Sequence, residues 1–576
     1  MGGVLFYFNA IKPIRTMTPS RIARITVFLL AALSLWVPCP AQNRQLKNGY
    51  SGTDAVGANS SVVYTITMKK GDFLRCVYTQ DDADMFASVL HSTGDTLASF
   101  NAPIGFMNDE IIEWIAPSEG SFSVHISGIS YTGLAPADGS EPVFPFAVKE
   151  IRILSRGEYK TYLKNERAEK EAFHTWIKSN THPIRTLDTS SPDDDLQPII
   201  DAVRNKRVIA LGESSHGTAE FYQIKQRLIA KMVRELGVKS FYLEASMRRC
   251  EYINDYITLG KGSLDTATAI QGFVNLRVEE FRDLLQWMRS HNEKLQPYQQ
   301  LRFYGFDLQR NEPARAELLA YFKNYAPNQL AQVERIFALH DSSIALQKQF
   351  ELNTSAELFK NLKNDYRDAF NDFVLNRGKY SIMSGNESYE RNLMNFKLLL
   401  QEVEANDGSD WNLRDYYMAE NILELLSHEA KDNKVILFAH NIHLSRVNET
   451  TGYQLDKVLQ DDYYSLGLEF GQGTILSRNV SINKTSRHWD ICPREQEPAE
   501  TLPGVMRTCG IEKGFLDFLS TSPPAYIKRD IGMHSDGSVY MADQPSTNLV
   551  PLNCFDGLIY IEKSTAAKDF KKVVFQ

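Results

Sequence analysis

Cysteine is scarce in this chain and shows no pattern. Six cysteines occur among 576 residues, without a CxxC pair or metal-ligand spacing, which argues against a zinc ribbon or knuckle. The zincin signature HExxH is absent, and no GxSxG elbow occurs, so neither of those catalytic signatures applies. No apolar run is long enough for a comfortable membrane span. Positive charge is not in excess either. With 63 Lys and Arg against 71 Asp and Glu, the formal charge is −8, which excludes a phosphate-backbone footprint and predicts no nucleic-acid partner. No internal repeat of solenoid or propeller length is visible.

What is present begins with a targeting segment. Arg21 and Arg24 precede the apolar run 25–37, and Cys39-Pro40-Ala41 supplies a cleavage site before Gln42, so residues 1–41 read as a signal peptide, with Met17 as an alternative start. A lipoprotein reading of Cys39 is the poorer alternative, because Trp36 and Pro38 are bulky where that signal wants small residues. Cleavage removes Lys12, Arg15, Arg21 and Arg24 and no acid, leaving a charge of about −12. The mature protein is expected to be exported, periplasmic or secreted, with no stable membrane insertion. Its five cysteines are Cys76, Cys250, Cys492, Cys509 and Cys554, an odd number that leaves at least one thiol free. Cys492 and Cys509 are the disulfide candidates in an oxidising compartment, the alternative being two free thiols.

With 43% hydrophobic residues and this length, two to four domains and a large core are expected. Residues 44–155 alternate with period two in short runs such as Val62–Met68, Phe73–Tyr78 and Ser121–Ser127, which predicts a small antiparallel β-sandwich, read as an accessory domain. Residues 156–195 read as a helical linker with a solvated charged face. Residues 196–576 alternate buried strands with helices, which predicts an α/β fold with a mostly parallel sheet flanked by helices and a helical insertion at about 310–406.

The chain is organised around residues 208–218, VIALGESSHGT. Four apolar residues form a strand buried on both faces, Gly212 breaks it, and an amphipathic helix follows from about Ala219. Lys239–Leu243 is the next strand and is followed by Glu244; Leu301–Phe306 is followed by Asp307; Lys434–Ala439 is followed by His440 and His443. Right-handed parallel crossovers bring Glu213, His216, Glu244, Asp307, His440 and His443 to one carboxyl edge, where open α/β sheets bind ligands. Each alone has a bland reading as a cap or a helix-dipole partner. Four strand ends doing the same points to a shared active site.

Histidine beside a carboxylate can take a proton from water while the carboxylate fixes its tautomer, a role that suits His216 with Glu213. Arg414 is a candidate to stabilise a developing oxyanion, against the alternative of an ordinary salt bridge with Asp415 or a neighbour. Ser215 and Asp307 are candidate substrate contacts. Two other chemistries stay open at this point: Ser214 or Ser215 as a nucleophile, and a zinc or manganese site built from the His and carboxylate residues. The preferred reading needs no metal and no cofactor.

Five ordered pieces carry a resemblance: ALGESSHGT at 210–218, LEAS at 243–246, YGFDLQ at 304–309, Arg414-Asp415 with Met418–Asn421, and AHNxH at 439–443. With these the chain resembles the erythromycin esterase family over about residues 195–565. The resemblance implies hydrolysis of a small-molecule ester or lactone by water activated on His216, with Glu213, Glu244, Arg414, His440 and His443 in supporting roles, and antibiotic resistance as the activity of some members. The competing class is a non-catalytic ligand-binding protein using the same cleft. Substrate selection is expected from the helical insertion, whose aromatics Phe322, Tyr325, Phe337, Phe350, Phe359 and Phe370 lie at near-helical spacing and read mainly as helix-packing core.

Overall fold

The computed structural model describes residues 44–570 apart from 58–59, 80–84, 101–108, 129–142, 349–351, 411, 448, 482–483, 538 and 541–546. The signal segment 1–41, with Met17 and Cys39, and the insertion residue Phe350 lie outside the described residues. The chain falls into two compact units that divide after Tyr159.

The first unit has two sheets. One has strand order β1(Arg44–Gln45)-β3(Ser61–Met68)-β8(Gly120–Gly128)-β5(Met85–His91)-β6(Thr96–Phe100), antiparallel except for β1 on β3. The other is wholly antiparallel, β2(Gly52–Gly57)-β9(Val143–Leu154)-β4(Phe73–Tyr78)-β7(Glu110–Ile115). Alternation does the work: in β3, Val62, Tyr64, Ile66 and Met68 point inward to meet Leu74, Val124 and Phe146, while Ser61, Val63 and Thr67 face outward.

The second unit is built on a ten-stranded sheet. Its strands are β10(Thr181–Pro183), β11(Val208–Leu211), β12(Ser240–Ser246), β13(Arg302–Asp307), β14(Val435–Phe438), β15(Tyr463–Ser481), β16(Lys484–Arg494), β17(Lys513–Asp517), β19(Val539–Tyr540) and β21(Gly557–Ser564); β18(Ile531–Met533) pairs separately with β20(Thr547–Leu549). The order is β10-β17-β21-β15-β11-β14-β12-β13, with β16 and β19 also on β15, and the six strands from β21 to β13 are parallel. β11 and β14 are the central pair, and VIAL and VILF are buried on both faces, as parallel strands covered by helices must be. The chain passes from β11 to β12 across β14, so the carboxyl ends of β11, β14 and β12 converge at a topological switch point.

Ahead of a sixth helix, Leu413–Ser427, five described helices from Glu312 to Ala405 lie between β13 and β14. They enclose a core of their own in which Phe322, Phe337 and Phe359 are buried, with Tyr325 and Phe370 packed at its margin. All five described cysteines are free thiols, Cys492 and Cys509 included, so of the two alternatives the structure takes the unbridged one.

Candidate active site

The turn after β11 is pinned before any catalytic side chain is considered. Gly212 and Ser214 donate backbone N–H bonds to Leu466 and Leu468 of β15 (2.8 and 3.1 Å), and Asn441 donates its N–H to the Glu213 carbonyl (2.8 Å). Asn441 also bridges to both the N–H and the carbonyl of Leu468. The chain runs so close to β15 that a Cβ at Gly217 would collide with the Leu476 carbonyl, which is why glycine stands there. The turn therefore holds Glu213 and His216 rigidly relative to the sheet.

Glu213 is buried and spends each oxygen on one partner. Oε1 lies 2.7 Å from His216 Nδ1, and Oε2 accepts from Lys225 Nζ at 2.7 Å. This fixes the His216 tautomer with the proton on Nδ1, leaving Nε2 as the free base at the cavity wall. Lys225 is fully buried on the helix Ala219–Leu236, its ammonium 3.4 Å from the centre of the Phe438 ring. Burial pulls its pKa down to about 8 against the opposing pull of Glu213.

A second group sits across the cavity. Arg414 opens the helix Leu413–Ser427 and reaches Asp307 (2.7 Å), Glu244 (2.9 Å) and His443 Nε2 (3.0 Å). Burial weakens the Arg414 cation, but Asp307 and Glu244 raise its pKa instead. Burial likewise works against a charged Glu244, yet His443, Arg414 and the backbone N–H of His440 (2.9 Å) hold it well below the usual carboxylate range. His443 donates through Nδ1 to the Asp415 carboxylate, 2.8 Å away, and Asp415 also accepts from the N–H and hydroxyl of Thr451. Burial lowers the His443 pKa, and Asp415 and Glu244 outweigh it, so the net shift is upward.

His440 stands between the two groups, its ring 5.3 Å from that of His216 and 6.4 Å from that of His443. Two backbone donors face its nitrogens, Ile442 N–H at Nδ1 (3.3 Å) and Gly537 N–H at Nε2 (3.2 Å). Nε2 also lies 3.3 Å from the Ser214 carbonyl, which can take an N–H there, whereas an imidazolium would set its other N–H, on Nδ1, against that of Ile442. Burial, followed by the nearby His216 and His443, pushes its pKa down to about 3, so His440 is a neutral ring near pH 7.

These elements enclose a cavity of about 590 Å³ whose lining includes Glu213, His216, Glu244, Arg414, His440 and His443. The structure thus brings six of the eight candidate residues together and leaves two aside. Asp307 is wholly buried behind Arg414, and Ser215 is buried with its hydroxyl accepting from Gly217 N–H (3.1 Å), so neither lines the cavity. Ser214 is equally buried and donates to Glu469 (3.1 Å), which leaves both serine hydroxyls without access to the cavity. The salt bridges of Arg414 run to Asp307 and Glu244, with Asp415 turned to His443. Among the described residues no group of three or more His, Cys, Asp or Glu is disposed to hold a metal ion. The insertion helices from Glu312 to Ala405 contribute no described residue to the lining; of the stretch 310–406 expected as the insertion, Arg310 alone among the described residues lines it, and the other walls come from 272–276, Gln309 and the β15–β16 hairpin.

Sequence reading missed Lys225, Asn441 and Gly537. Lys225 had a visible signal, a charge set in the apolar stripe Phe221, Leu228 and Met232 of its helix. Gly537 had none, because it reaches the site only through the fold: φ is +44° there, and its carbonyl accepts from His216 N–H at 3.3 Å.

The erythromycin esterase family model matches residues 233–564. The chain belongs to the erythromycin esterase family. The erythromycin esterase type II of Escherichia coli is 24% identical over 438 residues, covering 69% of this chain and 99% of that protein. The putative hydrolase YbfO of Bacillus subtilis (strain 168) is 23% identical over 436 residues, 69% of this chain and 92% of YbfO. A mutant of the erythromycin esterase EreC, solved in an open conformation, superposes with a TM-score of 0.53 at 16% identity over 67% of this chain and 98% of its own, which establishes a shared fold. Membership and these relatives suggest a hydrolase. The motif turn with Glu213 and His216 precedes the family-model match and falls within the second unit.

Proposed function

We propose that this erythromycin esterase family member is an exported hydrolase that cleaves an ester or lactone with water activated by His216. The observation that carries the reading is the line Lys225–Glu213–His216, which ends on an uncommitted ring nitrogen at a cavity wall. His216 Nε2 takes a proton from water as its oxygen attacks the carbonyl carbon. The negative charge that builds on the carbonyl oxygen faces Arg414 across the cavity. Collapse breaks the bond to the alkoxy oxygen, and the proton on His216 passes to it, giving acid and alcohol. Glu213 stabilises the transient imidazolium, Lys225 holds Glu213 in place through its other oxygen, and Asp307 and Glu244 position Arg414. Two buried serines and a base next to a fixed carboxylate favour direct attack by water over an acyl-enzyme.

The test is hydrolysis of a panel of aryl esters, lactones and macrolides by wild type, His216→Ala and Glu213→Gln. Turnover should fall by about 10² or more in both variants. A wild type that binds panel members without turning any over would make this a binding protein and sink the hydrolase reading. Activity should also survive chelation and dialysis, since His216 needs no cation to act as base; loss on chelation with restoration by zinc or manganese would overturn that step. Export rests on the charged and apolar segments before Gln42, and N-terminal sequencing of the mature protein should begin there; a lipidated Cys39 would contradict it.

A further inference from the structure

The geometry points to an oxyanion subsite in the same cavity, formed by Arg310 and Arg478, which selects substrates carrying a carboxylate or phosphate apart from the scissile ester. Both arginines line the cavity, and neither pairs with a described carboxylate. Among the described residues the only acids in the lining, Glu213 and Glu244, have both oxygens engaged by Lys225, His216, Arg414 and the backbone N–H of His440. The Nε of Arg478 is buried and finds no acceptor among the described residues. A buried guanidinium donor without an acceptor is costly, and an anionic ligand supplies what the protein leaves out.

Arg310 adds an independent observation. Its φ is +63°, a left-handed conformation that a side-chain-bearing residue adopts at a cost, and such residues cluster at functional sites. The conformation is held by its own carbonyl, which accepts from Ser246 Oγ and Arg249 Nε, both at 3.0 Å. Gly272, with φ +107°, leaves the space beside it: a Cβ there would sit 3.1 Å from the Arg310 Cβ. Arg478 on β15 stands opposite Trp489 on β16, so the second guanidinium shares its wall with an indole. Guanidinium forks match carboxylate and phosphate oxygens, and the apolar Phe273, Val274 and Trp489 suit the carbon chain between anion and ester.

This subsite rests on the hydrolase reading for its substrate, so its test reads binding apart from turnover. Calorimetry on the mature full chain compares monomethyl glutarate, dimethyl glutarate and methyl phosphate with wild type, Arg310→Gln, Arg478→Gln and Arg478→Lys, each checked for folding by thermal melting. The half-ester should bind about ten-fold or more tighter than the neutral diester. Each Gln variant should erase that preference, and Arg478→Lys should keep part of it. Competition by methyl phosphate would identify a general oxyanion subsite, and its failure beside a binding half-ester a carboxylate subsite. Equal affinity for half-ester and diester, binding of neither, or an unchanged preference in the folded Arg310→Gln and Arg478→Gln variants would overturn the subsite. Anion-selective binding without turnover would instead remove only the hydrolase reading.

Discussion

Lys225 Nζ lies 2.7 Å from Glu213 Oε2, the carboxylate oxygen that His216 leaves unused. The ammonium supplies the counter-charge of a carboxylate buried in the same dry surroundings, a pair that is costly to break. The helix that follows the motif turn thus contributes to the chemistry as well as to the packing. Phe438, at the end of the neighbouring central strand, supplies the ring on which the ammonium rests.

Lys225→Met should therefore impair both activity and stability. Removing one partner of a buried pair costs about 3–5 kcal/mol. Denaturant unfolding and turnover on the ester panel measure the two effects; a variant as stable and as active as wild type would show that Lys225 only fills space.

Acid should destabilise the protein through His440. Its pKa in the fold is about 3 against an ordinary 6.5, so its neutral ring contributes stability that is present above about pH 6.5 and is lost as pH falls toward 3. The difference in unfolding free energy between wild type and His440→Gln should shrink across that interval. A constant difference would mean that the ring accepts a proton without penalty.

Alkali should act through His534. This fully buried residue lies 2.8 Å from Glu469 and 3.2 Å from Glu497, and although burial disfavours its charge, Glu469 and Glu497 raise its pKa to about 10. The stabilisation is complete below about pH 6.5 and disappears as pH rises through 10. His534→Gln should be destabilised at neutral pH and approach wild type near pH 10. Because Glu469 also accepts from Ser214 in the motif turn, the variant should lose turnover as well as stability.

Phe359→Ala should cost about 3–5 kcal/mol by leaving a cavity in the core of the helical insertion. Substrate preference should not change, because no described residue of the insertion helices from Glu312 to Ala405 lines the cavity. Thermal melting and relative kcat/KM across an ester panel separate the two; an altered ranking of substrates at unchanged stability would return specificity to the insertion.

The sequence by itself determined the six parallel strands, their common direction and the edge at which chemistry gathers, while β10, β16, β17 and β19 of the same sheet were not legible in it. VIAL and VILF are short apolar runs with no polar alternation, which only a strand covered on both faces accommodates, and the helices between them require parallel crossovers that stack the carboxyl ends together. The pairing of Glu213 with His216 was also local, three residues apart on one turn. Tertiary structure alone decided the remaining partnerships: His443 takes Asp415 from 28 residues away, Arg414 takes Asp307 from 107, and Gly537 comes to His440 across 97. These depend on how the hairpin and the long connections pack over the sheet edge. Burial then set the ionisation of each group, making His440 neutral and Arg414 a held cation. Charge in a dry site follows from the full set of neighbours, and a linear sequence does not contain that set.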